Sequence, residues 1–168
     1  MSDIILEGTA APVTTTAAVR LVCGADVKEF PDQAFMDGGL IEDLELNLNS
    51  WLDGSSSGLN YVTIIGRGTS QSPTAEERAD YLNLKKYSKY YLGAVIAKTI
   101  PLGFAETTSD GQNMFKRFSM NVDDLVGRLM SVAEEAKKSI LDSHISEEEI
   151  KPVFAGVGNS YDPVTDSE

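Results

Sequence analysis

The chain has 168 residues, enough for one domain with a real core and too few for two comfortable ones. Its 26 acidic against 14 basic side chains leave a formal net charge of −12, which disfavours nonspecific attraction to nucleic acid or an anionic membrane. Cys23 is the only cysteine, so neither an intramolecular disulfide nor a cysteine metal cluster is available, and a reducing, cytosolic site of folding is the default.

Residues 1–13 read as a flexible lead ending near Pro12, with an acidic start and too short an apolar run for a signal peptide. "TTTAAVRLVCG" reads as a short helix: the threonines at 14–16 offer N-cap oxygens, Gly24 supplies a left-handed stop, and Val19, Val22 and Cys23 share a face. A second helix is predicted from about Asp32 to Leu52, with Met36, Leu40, Leu44, Leu48 and Trp51 as its apolar stripe. Gly38 and Gly39 lie inside that pattern and allow a kink or a break, since each costs a helix about 1 kcal/mol relative to alanine.

"DGSSSG" at 53–58 is a turn or linker, and the β-branched residues of 59–68 predict a strand from Tyr61 to Ile65. A long helix is predicted over 74–100. It can open on Ser72 with Pro73, or on a capping box of Thr74 with Glu77, and Pro101 is expected to end it. Its tyrosines, Tyr81, Tyr87, Tyr90 and Tyr91, fall around more than one face. They fit either core packing with wet hydroxyls or a helix touched on one side by a neighbouring subunit. Residues 105–118 read as a hairpin or extended loop about Asp110-Gly111. The last helix opens at Asn121 and carries the stripe Val122, Leu125, Val126, Leu129, Val132, Ala133, Ala136 and Ile140. Residues 151–168 form an extended arm. Val153, Phe154, Val157, Tyr161 and Val164 make it too apolar and aromatic for an ordinary disordered tail. The fold class is therefore mainly α: a small bundle of about four helices with a short β-hairpin or extended loop and a C-terminal arm. No apolar run reaches membrane-spanning length, the best being "YYLGAVIA" at 90–97.

Candidate chemistry is sparse. His144 is the single histidine, and near a helix end it reads as a surface or capping group. "SEEEI" lacks the alternating oxygens and glycine of a calcium loop, and "GRGTSQS" lacks the Gly-Lys-Ser/Thr ending of a phosphate loop. Cys23 reads as a buried, inert thiol on an apolar face. Ser55, Ser56 and Ser57 have no histidine placed to activate them, and the pairs Asp123/Asp124 and Glu134/Glu135 splay apart on a helix. No catalytic residue, metal site or cofactor is expected. "NMFKRFSM", with Met114, Phe115, Phe118 and Met120 around Lys116 and Arg117, makes an apolar, basic tip on an acidic chain, suited to an acidic surface of an identical copy.

The element order, together with "AAVRLVCGADVKEFPDQAFMDGGLIEDLELNLNSWL", the stretch from "YLNLKKYSKYYLGAVIAKTIPLG" to "DDLVGRLMSVAEEAKKSI" and "FAGVGNSYDPVTD", resembles the head–tail adaptor (connector) proteins of tailed bacteriophages over roughly residues 14–165. The likeness rests on helix order and texture. It implies a virion protein made in the bacterial cytoplasm: a ring, usually dodecameric, between the capsid portal and a tail, stopper or tail-terminator protein. DNA would pass through it without specific binding. It further implies that Met114, Phe115, Lys116, Arg117, Phe118 and Tyr90 make subunit contacts, and that Val153, Phe154, Val157, Tyr161, Asp162, Pro163 and Val164 dock on the portal. An acidic, helical, protein-binding regulator explains the charge as well but not the apolar arm. A small enzyme would require a deep polar pocket with perturbed titratable groups.

Overall fold

The computed structural model describes residues 2–28, 30–37, 39–52, 59–103, 107–109, 114–116 and 122–144. In chain order these form β1 (Asp3–Ile4), β2 (Thr14–Thr15), α1 (Thr16–Cys23), α2 (Asp32–Asp37), α3 (Leu40–Leu52), α4 (Tyr61–Gly68), α5 (Ala75–Gly103), β3 (Thr107–Ser109), β4 (Met114–Lys116) and α6 (Val122–His144). The mainly helical expectation holds. The two helices beyond the expected four come from a break and from a segment misread as a strand.

Among the described elements α5 and α6 form the most extensive contact, and they run antiparallel. Their bonded partners step forward along one helix and back along the other: Asp80 with His144 at 2.7 Å, Asn83 with Ser139 at 3.1 Å, Lys86 with Glu135 at 3.1 Å. Ala133 and Ala136, both buried, let the backbones approach, with Leu129 and Ile140 filling the ends of the seam. α5 opens on a complete capping box. The Glu77 N–H donates to Thr74 Oγ1 (3.1 Å) and the Thr74 N–H donates to the Glu77 carboxylate (2.9 Å). It then continues through Pro101 to Gly103. Proline removes one donor, and in a last turn that costs a single hydrogen bond instead of breaking the helix.

α1, α3, α4 and α6 all pack on α5. Leu84, Tyr87, Leu92 and Ile96 are buried on different sides of it, so α5 is the axis of the bundle and not an amphipathic surface helix. This accounts for tyrosines on several faces within one subunit: the Tyr81 hydroxyl donates to the Pro12 carbonyl at 2.9 Å, and the Tyr87 hydroxyl is bonded to Asn47 Oδ1.

Two further expectations are corrected, and the break that the paired glycines allowed is realised at Gly39. The segment 59–68 is helical, not a strand: Asn60 caps it by accepting from the Thr63 N–H at 2.8 Å, and Tyr61, Ile64 and Ile65 make one buried face at helical spacing. The second helix divides at Gly39, whose φ of +70° terminates α2. The break shifts the stripe, so Phe35 is buried and Met36 is 45% exposed, while α3 keeps Leu44, Leu48 and Leu52 inside. The lead is docked. β1 pairs antiparallel with β2 (Asp3 with Thr15, Ile4 with Thr14), and Ile4, Leu6 and Val13 are buried in the common core. Further along, β3 and β4 form the expected hairpin, antiparallel, with Thr107 opposite Lys116 and Ser109 opposite Met114.

Candidate interaction surfaces

The predicted arm residues Val153, Phe154, Val157, Tyr161, Asp162, Pro163 and Val164 lie outside the described residues, as do Arg117 and Phe118. Met114, Phe115 and Lys116 constitute β4. Tyr90 is half-buried on α5 against the core, with the Lys89 ammonium 4.7 Å from its ring centroid.

The one histidine is part of a clamp. Asp80, 6% exposed on α5, accepts from the Ser143 hydroxyl at 3.0 Å through one carboxylate oxygen and meets His144 Nε2 at 2.7 Å through the other. A nucleophilic triad needs the serine bonded to the histidine and the histidine to the acid. Here both partners converge on the same carboxylate, and the Ser143 hydroxyl also lies 2.7 Å from the Ile140 carbonyl. The arrangement ties the last turn of α6 to the first turns of α5. The adjoining hollow, about 260 Å³, is lined by Ile64, Arg67, Glu76, Glu77 and His144 among others. Among the described residues no group of three or more His, Cys, Asp or Glu side chains could hold a metal ion.

Trp51, Tyr87 and Tyr91 form an aromatic cluster between α3 and α5, Trp51 edge-on to Tyr87 with centroids 5.2 Å apart and Tyr87 stacked on Tyr91 at 5.7 Å. Burial pushes the Tyr87 phenol up to about 12, partly offset by the nearby Trp51 indole and reinforced by Glu134, and burial also raises Tyr91. Burial likewise raises the Cys23 thiol, whose Sγ lies 3.5 Å from the Arg20 carbonyl. These groups are held in their neutral forms, as core members require.

Two exposed surfaces differ in sign. Between the start of α1 and α5 runs a groove of about 320 Å³ lined by Pro12, Thr14, Thr15, Ala18, Leu82, Lys85, Lys86 and Lys89. Lys86 is engaged by Glu135, whereas among the described residues neither Lys85 nor Lys89 has a carboxylate within salt-bridge distance. Their ammonium groups instead sit 5.2 Å from the Tyr81 centroid and 4.7 Å from the Tyr90 centroid. The second surface is the outer face of α3, where Glu42 and Asp43 are exposed on either side of Leu46, itself 69% exposed. Sequence reasoning passed over both. The lysines were legible as an i, i+4 pair, but only the fold shows which side of α5 they occupy. No protein-family model, no curated protein and no solved structure matches this chain.

Proposed function

We propose that this chain is the subunit of a head–tail adaptor ring in a tailed bacteriophage, seated between the capsid portal and the tail, with residues 153–164 docking on the portal. The observation that carries the reading is the element order: a capped short helix, an acidic helix preceded by the short α2, and then, after the additional helix α4, a long antiparallel helix pair joined through a β-hairpin. That is the order in which the chain resembles connector proteins. The charge of −12 is consistent with it, because a channel through which DNA slides must not retain phosphates. The absence of a transmembrane candidate among the helices of the described residues fits a particle protein as well as any other non-spanning one.

Mass spectrometry of washed, DNA-filled capsids tests this by counting peptides of this chain against the major capsid protein. A few to a dozen copies per particle is the expected result. Removal of residues 152–168 should then leave the helical fold intact and abolish attachment to portal-bearing capsids. Absence from particles sinks the reading and favours an acidic regulator.

A further inference from the structure

The lysine groove and the acidic face of α3 lie on opposite sides of α5. Tyr87 faces α3, bonded to Asn47 and packed edge-on against Trp51. Lys85 and Lys89 stand two residues on either side of Tyr87, which at ~100° per residue places both roughly 160° from it, on the far side of the helix. On α3 the same spacing holds in mirror fashion. Leu46 lies two residues from both Leu44 and Leu48, which are buried, so it points away from the core. Each surface has an exposed leucine flanked by charges of one sign: Leu82, 55% exposed, with Lys85 and Lys89, and Leu46 with Glu42 and Asp43.

We propose that the partner of the lysine groove is the α3 face of a second copy of this chain, Leu46 seating beside Leu82 while Glu42 and Asp43 meet Lys85 and Lys89. Charge complementarity selects this occupant. A molecule of net charge −12 repels its own copies except where cations without local carboxylate partners meet an acidic patch. The leucine at the centre of each patch fits an apolar-cored protein contact better than the phosphate ladder of a nucleic acid. Because the two patches differ and face opposite ways, the contact is heterologous and repeats head to tail. Such a contact generates a ring if the rotation closes and an open filament if it does not. The inference deepens the adaptor reading and rests on it for closure of the ring. Exposed ion pairs contribute little individually, so the contact is weak between free subunits and gains from a template that holds copies side by side.

Two variants of the full chain test it, Leu46→Cys and Leu82→Cys, mixed in equal amounts under a mild oxidant. Cys23 is buried and does not compete. The contact predicts a few-fold excess of the mixed disulfide dimer over the two symmetric dimers, falling to the statistical proportion in ~1 M salt, where the screening length is ~3 Å. Lys85→Glu with Lys89→Glu in the Leu82→Cys chain should remove the excess, and Glu42→Lys with Asp43→Lys in the Leu46→Cys chain should restore it. A statistical mixture or an excess of symmetric dimers at low salt overturns the contact, whether or not the groove retains an acidic peptide or duplex DNA. The two failures are separable. A mixed-dimer excess with no copies in particles removes the adaptor reading alone, and copies in particles with a statistical mixture remove this contact alone.

Discussion

Arg20 is a charged side chain only 4% exposed, and the fold surrounds it with acceptors and a ring. Its Nε–H donates to the Phe30 carbonyl at 2.6 Å, its guanidinium is paired with the Asp32 carboxylate, and the Phe35 ring centroid lies 5.3 Å away. Asp32 in turn accepts from the Ser2 hydroxyl at 2.8 Å, so one carboxylate links the lead, α1 and α2. The Arg20 guanidinium, then Thr16 and Ser2, hold the Asp32 carboxyl well below the usual carboxylate range. A depressed folded-state pKa stabilises above the unfolded value near ~4 and loses that contribution as pH falls through ~4 towards the folded value. Asp32→Asn should therefore melt several degrees below the parent chain at pH 7, with the gap closing as pH falls below ~4. Thermal melts at both pH values check this, and an equal gap at pH 7 and pH 3 would show that the ion pair is not its origin.

Between elements, what was legible in the sequence follows the physics of each segment. α1 was readable because its capping residues and a 3.6-residue period agree, α5 from its capping box and its uninterrupted length, and α6 from its apolar stripe; Thr15 accepts from the Ala18 N–H at 3.2 Å and Gly24 adopts φ +73°, as expected of a cap and a stop. α4 was not. Its β-branched residues favour a strand locally, and the Asn60 cap and the Tyr61, Ile64, Ile65 spacing outweigh that preference only once α5 offers a face to pack on. The reason α4 can lie so close is Gly68. A Cβ there would stand 2.4 Å from Tyr81 Cβ and 2.9 Å from the Glu77 carbonyl oxygen, neither of them a flexible end. Gly66, in the same helix, has nothing within 4 Å of its would-be Cβ. Gly68→Ala should cost ~1–3 kcal/mol through overpacking, whereas Gly66→Ala should add ~0.5–1 kcal/mol by restricting the unfolded chain and favouring the helix. Urea unfolding of the two variants gives the comparison, and two effects of the same sign would refute the close approach. The candidate surfaces were the least legible part, because a lysine or glutamate on a helix reads as solvated until its side of the molecule is known.

At the scale of the whole molecule, among the described residues it is the lead that covers the core beside α1 and α3. Ile4, Leu6 and Val13 are fully or nearly fully buried there. The Val13 N–H donates to the Ile4 carbonyl at 2.9 Å, the Pro12 carbonyl accepts from Tyr81, and the Glu7 N–H donates to Glu45 on α3 at 2.5 Å. A segment expected to be a flexible lead is thus a structural strap, and nothing in its own sequence except three spaced apolar residues announces the role. Burial of such side chains stabilises by ~1.5–3 kcal/mol each, and a small domain has only ~5–15 kcal/mol in total. Removing residues 2–13 also leaves the Arg20–Asp32 pair without Ser2 and exposes the apolar seat. The shortened chain should therefore lose its cooperative thermal transition, or show it at far lower temperature, while retaining substantial helix by far-ultraviolet circular dichroism from the α5–α6 pair. Retention of the parent midpoint would mean that the core closes without the strap, and the whole account of how α1 and α3 are held against α5 would have to be rebuilt on the remaining contacts.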